Sequence, residues 1–383
     1  MGLFKRMLFS RPFSLNKAGP LIAILALWAL VNTFLIACQG IVTTGEAAKY
    51  INNARHLLAT GHLRSGQFQY YTLIIFLLAF CLKFHLGFAP AIVVQLLFNL
   101  AATLYFFGTV LKLLGSQRTA LAATILLLLN YPYQAFNTVV QTESLFQSLS
   151  LLLSCYLLRK EEIRVKHLGI MALSILVLSL SRPLGLLYIP AVLFYFYLTN
   201  LRQKGLSLRL LFLGLSALTF FFFLDRAMGS GGQYDFMLPF REEHIICGTP
   251  TLLHPASLQV AENGNSVYAL IYYIFHNTGQ FLRLAILKTI SFWGVYRSYF
   301  SPLHNLVFLI YFYPVVLMAI FSLRYWRHRH LSKLAYLLTL ILITWCTVVM
   351  TCDDWNIRIF LSITPYLILL AAGFIHTRIS PSP

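Results

Sequence analysis

Long apolar blocks separated by short polar stretches run along almost the whole chain. A block of about 20 apolar residues is long enough to cross the hydrocarbon core of a bilayer as a helix. The pattern therefore predicts an all-α polytopic membrane protein with about ten transmembrane helices. The predicted helices lie at about residues 20–39, 89–111, 119–137, 144–158, 210–224, 303–323, 333–350 and 359–376, with two shorter pieces flanking residues 181–183.

Composition excludes a soluble domain. Of the 383 residues, 59% are hydrophobic and only 10% are charged, with a mean hydropathy of +0.75. The net charge of +18 would suggest nucleic acid as the partner of a soluble protein. Here the excess is explained by basic loops, which stay on the cytoplasmic side of membrane proteins. We therefore expect contacts with membrane lipids and no nucleic-acid partner.

Basic loops at about 112–118, 159–166, 202–209 and 324–333 fix a topology with both termini inside. The basic N-terminus and the apolar run after it are interpreted as a first membrane helix and not as a signal peptide. Of the 11 acidic residues, only Glu161 and Glu162 then fall inside. The acids were not used to build the topology, so their gathering on one side predicts that the outer face carries the chemistry.

A polar stretch in the first external loop, residues 40–88, predicts an amphipathic helix that lies along the membrane surface. One interpretation of Glu46 is a capping box with Thr43, with Gly61 ending the helix. The other is an acid or base at the membrane boundary. The apolar block at 70–86 either crosses the bilayer or forms a second interfacial or re-entrant element.

Glu143, Asp353 and Asp354 also fall close to outer boundaries, where an unpaired charge is costly and marks a functional candidate. The structural alternatives stay open. Thr142 can cap the helix that Glu143 begins, Asp353 can cap the last helix, and Asp354 can pair with Arg358 four residues later.

Four basic residues lie beside the predicted outer boundaries. Each either reaches toward lipid phosphates or belongs to a cluster that binds the phosphate of a lipid-linked substrate. They are Arg182, Lys288, Arg297 and Arg358.

The long polar segment at 225–302 predicts a small external subdomain between transmembrane modules at 1–224 and 303–383. Within it, Glu242, Glu243 and His244, with His254 nearby, form a candidate metal site without a strong ligand spacing. The six cysteines show no metal-binding spacing. Cys247 and Cys352 fall on the outer side, where they can meet.

Short motifs resemble the GT-C superfamily of polytopic glycosyltransferases, which take sugars from polyprenyl-phosphate donors on the outer or lumenal face. Members include protein mannosyltransferases and the lipid A aminoarabinose transferase. The resemblance spans nearly the whole chain through motifs that occur in the same order and, apart from the turn at 114–120, on one side. They lie at residues 45–50, 114–120, 141–146, 181–185 and 354–358, the last followed by Pro365.

The resemblance implies roles for individual residues. Glu46 matches the catalytic acid of the first external loop and Glu143 the acid of the second, with Tyr50, Arg182, Asp354 and Arg358 in substrate-binding positions. Many relatives have Asp at the first position, often in a two-acid motif. The single Glu here leaves open both the assignment of the base and the need for a divalent metal.

Three functions are compatible with these features. The first is an outer-face glycosyltransferase that moves a sugar from a polyprenyl-phosphate donor to a lipid, glycan or protein acceptor, with Glu46 as the base. The second is a transporter or flippase of a lipid-linked or anionic solute, and the third is an assembly subunit without chemistry of its own. Charges at one face and basic loops at the other favour the enzyme. The compact length favours a bacterial inner membrane with a periplasmic active face.

Overall fold

The computed structural model describes residues 18–64, 66–229, 231, 235–249, 258–262 and 264–379. Within them the secondary structure is helical apart from isolated bridges that pair Val42 with Val139 and Ile246 with Asp353. Fourteen main helices are labelled here. They are α1 (Ala18–Gln39), α2 (Glu46–Thr60), α3 (Thr72–Lys83), α4 (Ala89–Leu114), α5 (Gln117–Leu128), α6 (Glu143–Leu158), α7 (Val165–Ser181), α8 (Pro183–Leu201), α9 (Leu206–Gly229), α10 (Val267–His276), α11 (Thr278–Gly294), α12 (Pro302–Arg329), α13 (Leu331–Met350) and α14 (Arg358–Ile379).

Among the described residues, seven helices are long and apolar enough to cross a membrane: α1, α4, α8, α9, α12, α13 and α14. The protein is therefore an all-α integral membrane protein with several spans. The other three predicted crossings correspond to α5, α6 and α7, which have 12, 16 and 17 residues. Because these fall short of a full span, the count of ten stays a prediction.

The apolar block at 70–86 forms α3, whose 12 residues extend only about 18 Å. This is well short of the roughly 30 Å hydrocarbon core. Its apolar side chains pack against the buried face of α2, where Tyr50 and Ile51 share a cluster with Ile75 and Leu78. The interfacial interpretation of this block therefore fits its length better than a crossing does.

Helix α14 lies at the centre of the bundle and is buried along most of its length. Gly373 allows α12 to approach closely, since a Cβ atom there would lie 2.5 Å from Trp326 Nε1. Buried hydroxyls hold the neighbouring helices together. Tyr366 on α14 lies 2.7 Å from the Tyr188 hydroxyl and accepts a bond of 3.1 Å from Ser154. Such hydrogen bonds tie helices together where no water can compete.

The two ends of the bundle differ in charge. At one end, the Lys112 ammonium donates to the carbonyl of Arg159, and Lys333 pairs with Glu161 at 2.7 Å. At the other end lie the beginnings of α2, α6 and α14 and the end of α7. This end carries Glu46, Glu143, Arg182 and Arg358, with Asp354 in the loop just before α14.

The external segment folds against that second end. Residues 235–249 pack with α10 and the end of α9 around Phe240 and Tyr273, whose rings lie 4.7 Å apart. A disulfide joins Cys247 to Cys352, and the adjacent bridge between Ile246 and Asp353 aligns these two segments. The pairing of these two cysteines, expected from their common side, is confirmed.

Candidate functional site

Glu46 is the first residue of α2. The residue before it, Gly45, has a φ of +63°, which favours glycine, and no side chain caps the helix. The predicted capping box with Thr43 is therefore wrong, because the helix begins two residues later than the box requires, whereas Gly61 does end it as predicted. The Glu46 side chain is 43% exposed, and both its oxygens accept hydrogen bonds from the Arg358 guanidinium.

Glu143 lies behind Glu46 and is completely buried. Its Oε1 atom forms an ion pair with Arg182 Nη1 at 3.0 Å and accepts a hydrogen bond from Arg358 Nη1 at 2.9 Å. Thr142 makes no capping hydrogen bond to the backbone of α6, and its hydroxyl donates to Glu143 Oε2 at 3.3 Å instead. The predicted cap is therefore wrong, and Glu143 joins two guanidinium groups.

Asp354 and Arg358 form the predicted pair. Arg358 donates to the carboxylate through Nε at 2.7 Å and Nη2 at 2.6 Å, a bidentate geometry that charged pairs favour. Asp354 Oδ1 also accepts from the backbone N–H groups of Asn356 and Arg358 and so caps α14. The cap predicted for Asp353 is wrong, because that carboxylate turns toward Arg297.

Arg358 is thus the centre of the site, with a carboxylate from α2, one from α6 and one from the loop before α14. Three carboxylates face two guanidinium groups, those of Arg358 and Arg182. Burial would raise the pKa values of Glu46 and Asp354, but the hydrogen bonds and positive charge of Arg358 outweigh it and lower both pKa values. Both carboxylates are therefore ionised at neutral pH.

The predicted substrate-binding Tyr50 lies beside this cluster, but its ring is buried and packs edge-to-face on Tyr71 at 5.2 Å. Next to it lies Lys49, which the sequence pattern does not single out. The Lys49 ammonium lies 5.1 Å from the centre of the Tyr71 ring and 5.6 Å from that of Phe68. It has no carboxylate within 4.0 Å among the described residues and is only half-buried. In the sequence, Lys49 falls on the polar side of α2, where a solvated lysine is expected, so the pattern does not mark it as a site residue.

The structure does not bring the other two predicted basic residues to this cluster. Arg297 is buried and pairs with Asp353 through Nη2 at 2.6 Å, and Ser291 donates to the same carboxylate oxygen. The Lys288 ammonium donates to the carbonyl of Thr351 and lies 4.1 Å from the centre of the Phe240 ring. Neither side chain lines the cavity described next. The prediction that Arg297 and Lys288 belong to a phosphate-binding cluster with Arg182 and Arg358 is therefore wrong.

A cavity of about 780 Å³ opens onto Glu46, Arg182, Asp354 and Arg358. Much of the rest of its wall is apolar and comes from three helices that are long enough to span a membrane. These side chains include Leu187 and Ile189 of α8, Phe220 and Phe223 of α9, and Ile343 and Met350 of α13. Residues 235–248 of the external segment complete the wall and add Asp235 and His244 to it. One end of the cavity is therefore charged, and its walls suit an apolar chain.

The candidate metal site at Glu242, Glu243 and His244 does not fit a metal in the part of the chain that the structure describes. Glu242 contacts His244 at 2.8 Å, while Glu243 accepts from Gln280, and His254 lies outside the described residues. No group of three or more His, Cys, Asp or Glu side chains in the described chain can hold an ion. At the main cluster, the Arg358 guanidinium takes the space between the carboxylates that a divalent cation would need.

The fold and the cluster define an integral membrane protein with an acid–arginine site at one end of its helix bundle. No protein-family model, curated protein or solved structure matches this chain.

Proposed function

We propose that this protein is a membrane glycosyltransferase that moves a sugar from a polyprenyl-phosphate donor to an acceptor hydroxyl. The observation that carries the proposal is the cavity, which combines a charged end with apolar walls from α8, α9 and α13. A lipid-linked sugar has the same two-part character. Its phosphate and sugar suit the Arg182 and Arg358 end, and its hydrocarbon chain suits the apolar walls.

Glu46 is the proposed base. Of the three clustered carboxylates it is the most exposed, whereas Glu143 is fully buried and Asp354 is 11% exposed. A carboxylate has room for further hydrogen bonds beyond those from Arg358, so Glu46 can accept one from a substrate hydroxyl. Glu143 and Asp354 are positioning residues in this proposal, because the ion pair of Glu143 holds Arg182 and the hydrogen bonds of both carboxylates hold Arg358.

The proposed reaction needs no redox partner. Glu46 takes the proton of the acceptor hydroxyl as that oxygen bonds to the anomeric carbon of the sugar. The bond between that carbon and the phosphate oxygen breaks, and polyprenyl phosphate leaves with its electron pair. Arg358 and Arg182 stabilise the charge that develops on the phosphate. Contact with the phosphate would also weaken the hold of Arg358 on Glu46 and make the carboxylate a stronger base.

The charged end is proposed to face outward, into the periplasm of a bacterial inner membrane. The disulfide between Cys247 and Cys352 borders the cavity, and disulfides persist in oxidising compartments. Basic residues such as Lys112, Arg159 and Arg327 lie at the opposite end, as expected for the cytoplasmic side. A transporter would carry its charges near the bilayer midplane, so the charges at one end of the bundle favour the enzyme.

The test is sugar transfer by the full-length protein in proteoliposomes, with a panel of radiolabelled polyprenyl-phosphate sugars and membrane extract as acceptor. We expect Glu46→Gln to lower turnover by about 10²- to 10⁴-fold at equal protein amounts, since a positioned base contributes that much. Glu161→Gln is the matched control, because this exposed glutamate pairs with Lys333 at the other end of the bundle. Near-normal turnover of Glu46→Gln would remove Glu46 as the base. Lipid movement without covalent transfer would replace the enzyme with a transporter.

A further inference from the structure

A second, smaller cavity lies between α4, α6 and α7, away from the acid–arginine site. Its volume is about 350 Å³, and its lining is almost wholly apolar, with Leu104, Leu153, Leu173 and Val177 among the side chains. Ser174 is the one small polar side chain in it. The groove runs along the helices. Along α6 it extends from Leu149 to Tyr156, which is about 10 Å at 1.5 Å per residue.

The groove ends at two tyrosines, each of which carries a cation above its ring. The Arg159 guanidinium lies 4.7 Å from the centre of the Tyr105 ring, and the Lys160 ammonium lies 4.8 Å from that of Tyr156. Both tyrosines line the groove. The cations follow the last turn of α6, in the basic end of the bundle.

Acidic side chains do not neutralise Arg159, which has no carboxylate within 4.0 Å among the described residues. The nearest acid in sequence, Glu161, is held by Lys333 at 2.7 Å. The mouth of the groove is therefore positively charged, while its interior is apolar.

We infer that this groove binds an anionic phospholipid from the surrounding bilayer. One acyl chain lies between α4, α6 and α7, and the phosphate contacts Arg159 and Lys160. Any lipid chain can cover an apolar helix face, so the groove alone would show no preference among headgroups. The two cations at its mouth supply that preference, as basic pockets between membrane helices do for anionic headgroups.

The experiment is native mass spectrometry of the full-length protein released from nanodiscs that contain equal phosphatidylglycerol and phosphatidylcholine. We expect retained phosphatidylglycerol to exceed phosphatidylcholine by about thirtyfold, the effect of two basic residues near an anionic headgroup. The double variant Arg159→Gln, Lys160→Gln should reduce this preference nearly to one. The matched control, Arg327→Gln with Arg329→Gln, removes two exposed cations from the same end of the bundle and should preserve it.

A second variant tests the groove without changing charge. Ser174→Leu narrows it, and we expect it to reduce the retained lipid, whereas Ser174→Ala should not. Equal retention of the two lipids by the unmodified protein would overturn the proposal. An equal loss in the Arg327 and Arg329 control would show a general charge effect, and full retention in Ser174→Leu would show that no chain occupies the groove. Either result would also overturn it.

Discussion

Two neighbouring aspartates in one loop make different kinds of ion pair. Asp353 is fully buried, and its Oδ2 atom bonds to the equally buried Arg297 and to Ser291. Asp354 bonds to Arg358, which also reaches the half-exposed Glu46 at the cavity. Both pairs are aspartate–arginine contacts of 2.6 Å. What differs is that one is closed off by protein and the other borders an opening of about 780 Å³.

The pKa values of the two aspartates reflect this difference. Burial is the main influence on Asp353 and raises its pKa, although Arg297 and Ser291 act in the opposite direction. For Asp354, burial also acts to raise the pKa, but Arg358, with help from Arg182, lowers it overall. A perturbed acid therefore does not by itself mark a functional site. Access to a cavity distinguishes the two, so we assign Asp353 to structure and Asp354 to the site.

The largest expected effect is the loss of stability in Arg297→Met. Removing one partner leaves the Asp353 charge buried and uncompensated, which costs about 3–5 kcal/mol. We therefore expect much less folded protein and a lower melting midpoint in detergent, as measured by thermal aggregation. The matched comparison is Glu46→Gln, whose half-exposed carboxylate can be lost while the protein stays folded.

A double variant separates burial of the charge from loss of packing. Arg297→Met combined with Asp353→Leu removes both charges, so much of the stability lost in Arg297→Met should return. If Arg297→Met folds normally, or if Glu46→Gln proves the less stable protein, the division between a structural and a functional pair is wrong.

A smaller loss of stability is expected from removing the disulfide that lies beside the buried pair of Asp353 and Arg297. Cys352 precedes Asp353, and the bond to Cys247 closes a loop of 105 residues. Removing a native disulfide commonly costs about 2–5 kcal/mol. Cys247→Ser with Cys352→Ser should lower the melting midpoint, and dithiothreitol should do the same to the unmodified protein. Cys38→Ser, at an exposed free thiol, is the control. A midpoint unaffected by both treatments would show that the loop does not need this anchor.

Much of the site could be predicted because membrane sequences isolate their charges. Glu46 and Glu143 stand out at the edges of apolar blocks, and the four-residue spacing of Asp354 and Arg358 predicts their contact. Block 70–86 leaves two interpretations open, since its hydrophobicity predicts a crossing while the 12 residues of α3 are short for one.

The remaining details depend on tertiary contacts that a sequence does not display. Whether Arg182 or Arg297 reaches the cavity depends on which carboxylate folds against each. The spacing of Glu46 from Thr43 fits a capping box and therefore predicts one. The positive φ of Gly45 shifts the start of the helix, and Arg358, more than 300 positions away, then holds the carboxylate. Lys49 was overlooked because its aromatic neighbours come partly from beyond α2.

The smallest predicted effect concerns Lys288, which donates to the carbonyl of Thr351, two residues before Asp353. Burial lowers the pKa of Lys288 to about 7, from an ordinary value of about 10.5. Between these two pH values the unfolded protein binds a proton at this residue that the folded protein does not. The free energy of unfolding should therefore rise with pH in this window, by about 1.4 kcal/mol per pH unit from this group.

Lys288→Met should remove that contribution, because methionine keeps an apolar stem in the buried position and does not titrate. The measurement is the melting midpoint of both proteins in detergent at several pH values from 7 to 9. The midpoint of the unmodified protein should rise relative to that of the variant as the pH increases. Lys83→Met, at a lysine on α3, is the control for a general effect of charge. Parallel pH profiles for the unmodified protein and Lys288→Met would mean that Lys288 stays protonated in the fold. In that case Lys288 would be a buried cation close to the buried ion pair of Asp353 and Arg297.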